Sequence, residues 1–74
     1  MSSLSPIKAV TLIKILRKLG FVERRQKGSH LFLSHQDGRT TVILVHPSKQ
    51  IGIGLLRSIL RDVKVSPDDF EKLK

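Results

Sequence analysis

The chain has no cysteine, no tryptophan and no tyrosine, only three phenylalanines, and six acidic residues against fourteen lysines and arginines. Each shortage closes a class of explanation. Without cysteine there is neither a disulfide framework nor a thiolate zinc site, and redox compartment is left open. No apolar run approaches the ~20 residues that a membrane-spanning helix needs. The opening Met1-Ser2-Ser3-Leu4 lacks the basic-then-apolar layout of a secretion signal, so a soluble, cytoplasmic protein with no membrane span is expected. The shortage of acids leaves a formal charge of +8 and a pI near 10.7. Such a balance points to a polyanionic partner: nucleic acid first, an acidic protein second, an anionic membrane third.

At 74 residues the chain reads as a single domain over 1–74, a size that buries only roughly 60 % of the surface its unfolded form exposes. Nearly every apolar side chain is therefore needed for packing. Ser5 followed by Pro6 reads as an N-cap with proline at the first helical position. From there Ala9, Leu12, Ile13, Leu16 and Leu19 recur at spacings of three and four, with Lys14, Arg17 and Lys18 outside that stripe, and Gly20 ends the helix. Phe21-Val22 leads into Glu23-Arg24-Arg25-Gln26-Lys27, too polar for burial on both faces and hence an edge strand.

A reversal at Lys27-Gly28-Ser29 feeds a second strand, His30 to His35. Asp37-Gly38 is a strong hairpin signal, and Thr40 to Val45 is a third strand rich in β-branched residues. The glycines of Ile51-Gly52-Ile53-Gly54 suit a helix entry, after which Leu55, Leu56, Ile59, Leu60 and Val63 form an apolar stripe with Arg57 and Arg61 on another side. Ser66-Pro67-Asp68-Asp69 repeats the cap-then-proline signal and predicts a short terminal helix carrying Phe70 and Leu73. The expected fold is α+β in the order α-β-β-β-α. Its three-stranded antiparallel sheet has two helices packed on one face, the other face open, and a short C-terminal helix.

Several chemistries fail on residue types or spacing. His30, His35 and His46 lack acidic help, because the acids lie chiefly in Asp68, Asp69 and Glu71, and no H-x-x-x-H helix exists; no metal is expected. Ser29 beside His30 is adjacency along a strand, which sends the two side chains to opposite faces. No G-x-S-x-G or P-loop pattern occurs. Cleavage of RNA without metal or cofactor remains compatible, because RNA carries its own nucleophile in the 2′-hydroxyl. The protein need only take that proton, neutralise the phosphate and protonate the leaving oxygen. Histidine, with an ordinary pKa of ~6.5, suits the first task. His30 has Lys27 beside it and Arg24 and Arg25 one strand away. From residues alone, a working His30 and an idle surface histidine stand level.

The runs Leu19-Gly20-Phe21-Val22, Lys27-Gly28-Ser29-His30, Val45-His46 with its polar loop, Gly54 to Leu60, and Ser66 to Phe70 together resemble the HicA family of mRNA interferase toxins, over nearly the whole chain. Members of that family have a fold similar to a double-stranded RNA-binding domain, and the histidine of their Gly-Ser-His is catalytic. The resemblance thus implies an endoribonuclease acting on mRNA within a toxin–antitoxin pair, His30 as its catalytic group, and a HicB-type antitoxin as protein partner, covering the active site. Lys27, Ser29 and His46 are candidates for auxiliary roles, and Arg24, Arg25, Lys27 and Lys49 for RNA backbone contact. Two departures stand out: many members have a second histidine where this chain has Leu31, and many have proline where it has Leu44.

The role of His46 turns on strand register. A two-residue loop, Asp37-Gly38, puts Val45 opposite His30, whereas a three-residue loop, Asp37-Gly38-Arg39, puts His46 there. Only the second makes His46 a candidate general acid. The first gathers Leu31, Leu33, Val42 and Leu44 on one face and the second gathers Leu31, Leu33, Ile43 and Val45, so hydrophobic pattern does not choose. His35, near the hairpin tip, is expected to be solvated or partly packed. The rival functions are a non-catalytic RNA-binding module and a domain whose basic surface meets an acidic protein.

Overall fold

The computed structural model describes residues 4–74. The sequence-predicted order is present, with one small addition. Strand β1 (Ile7–Lys8) leads directly into helix α1 (Ala9–Lys18). Strands β2 (Val22–Lys27), β3 (His30–Ser34) and β4 (Thr40–Leu44) follow, then a short β5 (Gln50–Ile51), helix α2 (Ile53–Val63) and helix α3 (Pro67–Leu73). Strands β2, β3 and β4 form an antiparallel sheet in that order, while β1 and β5 pair with each other as a separate ribbon.

That ribbon corrects the expected helix start. Ser5 and Pro6 precede β1, and Lys8 still has extended backbone at φ −70° and ψ 142°. The chain stays extended because Ile7 pairs with Ile51 and both are buried in the core. A proline-at-N1 signal is local, and burial of a cross-chain pair overrides it. The exit is as the sequence has it. Gly20 takes φ 102°, its N–H reaches Arg17 O at 3.0 Å and that of Phe21 reaches Leu16 O at 3.0 Å. These two bonds make a Schellman end, with Leu16 and Phe21 both buried beneath it.

The core lies between the sheet and helices α1 and α2, with Phe70 of α3 fully enclosed. Helix α1 buries Ala9, Leu12, Ile15 and Leu16, so Ile15 replaces Ile13 and Leu19 of the expected stripe, which are only partly buried. Helix α2 buries Leu56, Ile59, Leu60 and Val63, whereas Leu55 is exposed one position around from the packed side. Ser66 caps α3 as expected, its Oγ accepting from the Asp69 N–H at 3.1 Å.

Register departs from both expected alternatives. His30 pairs with Leu44, Leu31 with Ile43 and Ser34 with Thr40. The loop is three residues, but they are Gln36-Asp37-Gly38: the Gly38 N–H bonds His35 O at 2.9 Å and the His35 N–H bonds Arg39 O at 2.9 Å. Gly38, at φ 100°, fills the left-handed position that ends such a loop. The Asp37 carboxylate accepts from both the backbone N–H and the guanidinium of Arg39, which fixes Arg39 as the first strand-side residue. The core face is then Leu31, Leu33, Thr41 and Ile43, all buried.

Candidate functional site

Alternation places His30, Phe32 and Ser34 of β3 on the face opposite the helices, with Thr40, Val42 and Leu44 of β4 beside them. The turn that mounts His30 is a two-residue loop, since Lys27 pairs directly with His30. Gly28 has φ 60°, the first-position glycine of a II′ hairpin turn, and a Cβ added there would meet nothing within 4 Å. The glycine is required by backbone conformation and not by space. The Gln26 side chain donates to Gly28 O at 3.0 Å across the same turn, and the Val45 N–H donates to Ser29 O at 2.7 Å where β3 and β4 meet it.

Strand β2 carries an irregularity that sequence pattern did not disclose. Glu23 pairs with Leu33 but Arg25 pairs with Phe32, leaving Arg24 as the extra residue of a β-bulge. Strict alternation would separate two adjacent arginines; the bulge puts both on the open face. Arg24 Nε donates to Ser34 Oγ at 2.6 Å, and the Arg25 guanidinium lies 5.0 Å from the centroid of the Phe32 ring. Glu23, the sole acid within the three strands, shares the core-side parity of Leu33 and sits 3.5 Å from Arg17 of α1. The open face therefore holds Arg24, Arg25, Lys27 and His30 with no carboxylate among them.

The expected site residues divide into two groups. His30, Lys27, Arg24 and Arg25 share the open face, and Ser29 lies in the turn beside them. His46 and Lys49 follow the last residue of β4 in the chain. The β3–β4 ladder ends at Leu44, and His46 opens a turn closed by the Lys49 N–H to His46 O at 3.2 Å. Together with Lys8, Val10 and Pro47 these two residues line a hollow at the start of α1. The register reason is the earlier loop: starting at Gln36 instead of Asp37, it slides β4 so that Leu44 faces His30.

His35 belongs to neither group. Only 17 % of its side chain is exposed; its ring lies edge-on to Phe21 at 5.2 Å. Nδ1 accepts from the Asp37 N–H at 3.1 Å, which leaves Nε2 to donate to Leu19 O at 3.1 Å. It clamps the hairpin tip to the C-terminus of α1. The carboxyl of Asp37 titrates below its ordinary value, chiefly through the Arg39 backbone N–H, with desolvation pulling the other way and the Arg39 guanidinium adding to the depression.

Phe32 was given no role from sequence. The available signal was its parity with His30, which the buried Leu31 and Leu33 fix as outward. Among the described residues no helix is long and apolar enough to cross a membrane. Compared with protein families, residues 10–65 match the family described as the HicA toxin of bacterial toxin-antitoxin systems. No curated protein matches the chain.

Proposed function

This chain belongs to the HicA toxin family of bacterial toxin–antitoxin systems, and we propose that it is a metal-independent endoribonuclease acting on mRNA and held in check by a HicB-type antitoxin. The observation that carries this reading is the setting of His30: exposed, on an acid-free cationic face, with Lys27 directly across the ladder.

In this reading the His30 imidazole removes the proton of a ribose 2′-hydroxyl as that oxygen attacks the adjacent phosphorus. The bond from phosphorus to the 5′ oxygen breaks, giving a 2′,3′-cyclic phosphate and a 5′-hydroxyl once the departing oxygen takes up a proton. Cross-strand neighbours have Cβ atoms ≈ 4.5–5.5 Å apart, so the long side chain of Lys27 can reach a phosphate that the imidazole also addresses. Its charge offsets the negative charge that builds on phosphorus. Arg24 is tied to Ser34 and Arg25 to Phe32, which holds two further cations along the path of the backbone. Lys49 and His46, around the strand end, are left without a part in the chemical step.

The test is cleavage of purified RNA in the presence of a chelator. The native chain should give cyclic-phosphate ends, and His30→Ala should abolish cleavage while leaving the circular dichroism spectrum and RNA binding unchanged. Retained cleavage by that variant would overturn the assignment.

A further inference from the structure

The open sheet face is basic, but it is also apolar. Phe32 sits at its centre on the middle strand, half-buried, with the Arg25 guanidinium over its ring. Around it Val42 is 37 % exposed and Val22 51 % exposed, and Leu44 is partly exposed beside His30. No other element of the described chain covers this face, since α1, α2 and α3 all contribute to the core on the opposite side. A surface meant only for phosphates would have no use for a half-exposed ring and aliphatic side chains.

We propose that this face is a platform for single-stranded RNA, on which a base stacks against the Phe32–Arg25 pair while Arg24 and Lys27 hold the flanking phosphates. The inference rests on the reading above that RNA is the ligand, and adds its strandedness and the residue that senses it. A polyanion with flat apolar groups along it satisfies both halves of the surface, because base–aromatic stacking and a cationic track are complementary demands. A-form duplex RNA supplies the phosphates but keeps its base faces stacked internally, and its deep, narrow major groove is closed to side chains. It would leave Phe32, Val42 and Leu44 unmatched. Position links the platform to chemistry: His30 and Phe32 are two residues apart on one face, roughly 7 Å along the strand. A base over Phe32 thus delivers a neighbouring linkage to His30.

The experiment uses the full chain carrying His30→Ala, so that bound RNA stays whole. Fluorescence anisotropy compares a short labelled oligoribonucleotide with the same oligomer annealed to its complement. The single strand should bind at least about tenfold more tightly. Adding Phe32→Ala should weaken single-strand binding about tenfold, the loss of one stacking contact, without changing the salt slope, and Phe32→Trp should restore it. Should Phe32→Ala fail to fold, Phe32→Leu keeps the apolar bulk without the ring and should show the same loss. Removing two charges elsewhere, by Arg57→Ala with Arg61→Ala on α2, should cost less than Phe32→Leu.

Equal or tighter duplex binding overturns the proposal, as does single-strand binding that ignores Phe32→Leu. So does a surface that takes up polyglutamate in preference to RNA, which would mark it as an acidic-protein site. Binding by the His30→Ala chain is read independently of cleavage, so failure of the native chain to cleave would remove the nuclease reading and leave the platform to its own result.

Discussion

His30 stands opposite Leu44 across the β3–β4 ladder, and His46 lies beyond the end of that ladder in a separate turn. A loop one residue later would have set the two histidines face to face; in this register an apolar side chain, that of Leu44, stands directly across from His30.

From that relationship, His46→Ala should lower RNA cleavage by less than about tenfold, whereas His30→Ala should lose at least the roughly 100-fold that a general base contributes. Rates on one RNA substrate, with fold checked by circular dichroism, decide the matter. A loss at His46 matching that at His30 would restore a two-histidine mechanism.

Two residues with positive φ give opposite expectations. Gly28 has φ 60° and Lys64 has φ 57°. Gly28→Ala forces a side chain into the positive-φ first position of a II′ turn and should destabilise by more than about 1 kcal/mol, despite open space around it. Lys64, which ends α2 with its N–H on Arg61 O, already bears that strain, so Lys64→Gly should gain about 1 kcal/mol. Urea melts of both variants read the two signs directly.

How far the sequence disclosed this molecule depends on which forces acted locally. The three strands, the Schellman end at Gly20 and the Ser66 cap were legible because each is set by a few adjacent residues. The β1–β5 ribbon was not, because it joins two dipeptides far apart in the chain and depends on burying Ile7 against Ile51. The bulge at Arg24 was hidden for a related reason: a run of charged residues has no alternation to break. The hairpin register was off by one loop position because the pattern favoured starting the loop at Asp37. The carboxylate is instead committed to Arg39 from inside the loop. Of the expected site residues, Lys27 across from His30 needed only the short turn at Gly28 and was legible, while bringing Arg24 and Arg25 together on that face needed the bulge and the placing of His46 needed the register, and neither was.

The contact of His35 with α1 predicts a fault line. A Cβ on Gly20 would come within 2.8 Å of His35 Nε2, and Gly20 has φ 102°. Gly20→Ala therefore meets both backbone strain and a side-chain clash, and should cost more than Gly28→Ala, which meets strain alone. His35→Ala removes the donor to Leu19 O and should cost about 1–3 kcal/mol if that acceptor is left unpaired. Thermal melts of the three variants establish the order, and a Gly20→Ala chain as stable as the native one would contradict the packing described.

The same hairpin tip responds to acid. Asp37 accepts from the backbone N–H and guanidinium of Arg39, and its folded pKa lies below its ordinary value. The sign follows: the folded form releases the proton more readily than the unfolded chain, so the carboxylate's contribution is fully present above the unfolded pKa of ≈ 3.9. It is lost as pH falls through the lower, folded value. Protonation leaves the Arg39 N–H with a weaker acceptor and loosens a guanidinium that also donates to Val63 O at the end of α2 and lies over Phe21. Stability measured by urea unfolding should therefore fall below about pH 4, with loop amides from His35 to Arg39 exchanging faster. Asp37→Asn should remove that part of the acid slope and lower stability at neutral pH. An unchanged slope in the Asn variant would show that other carboxylates carry the acid response.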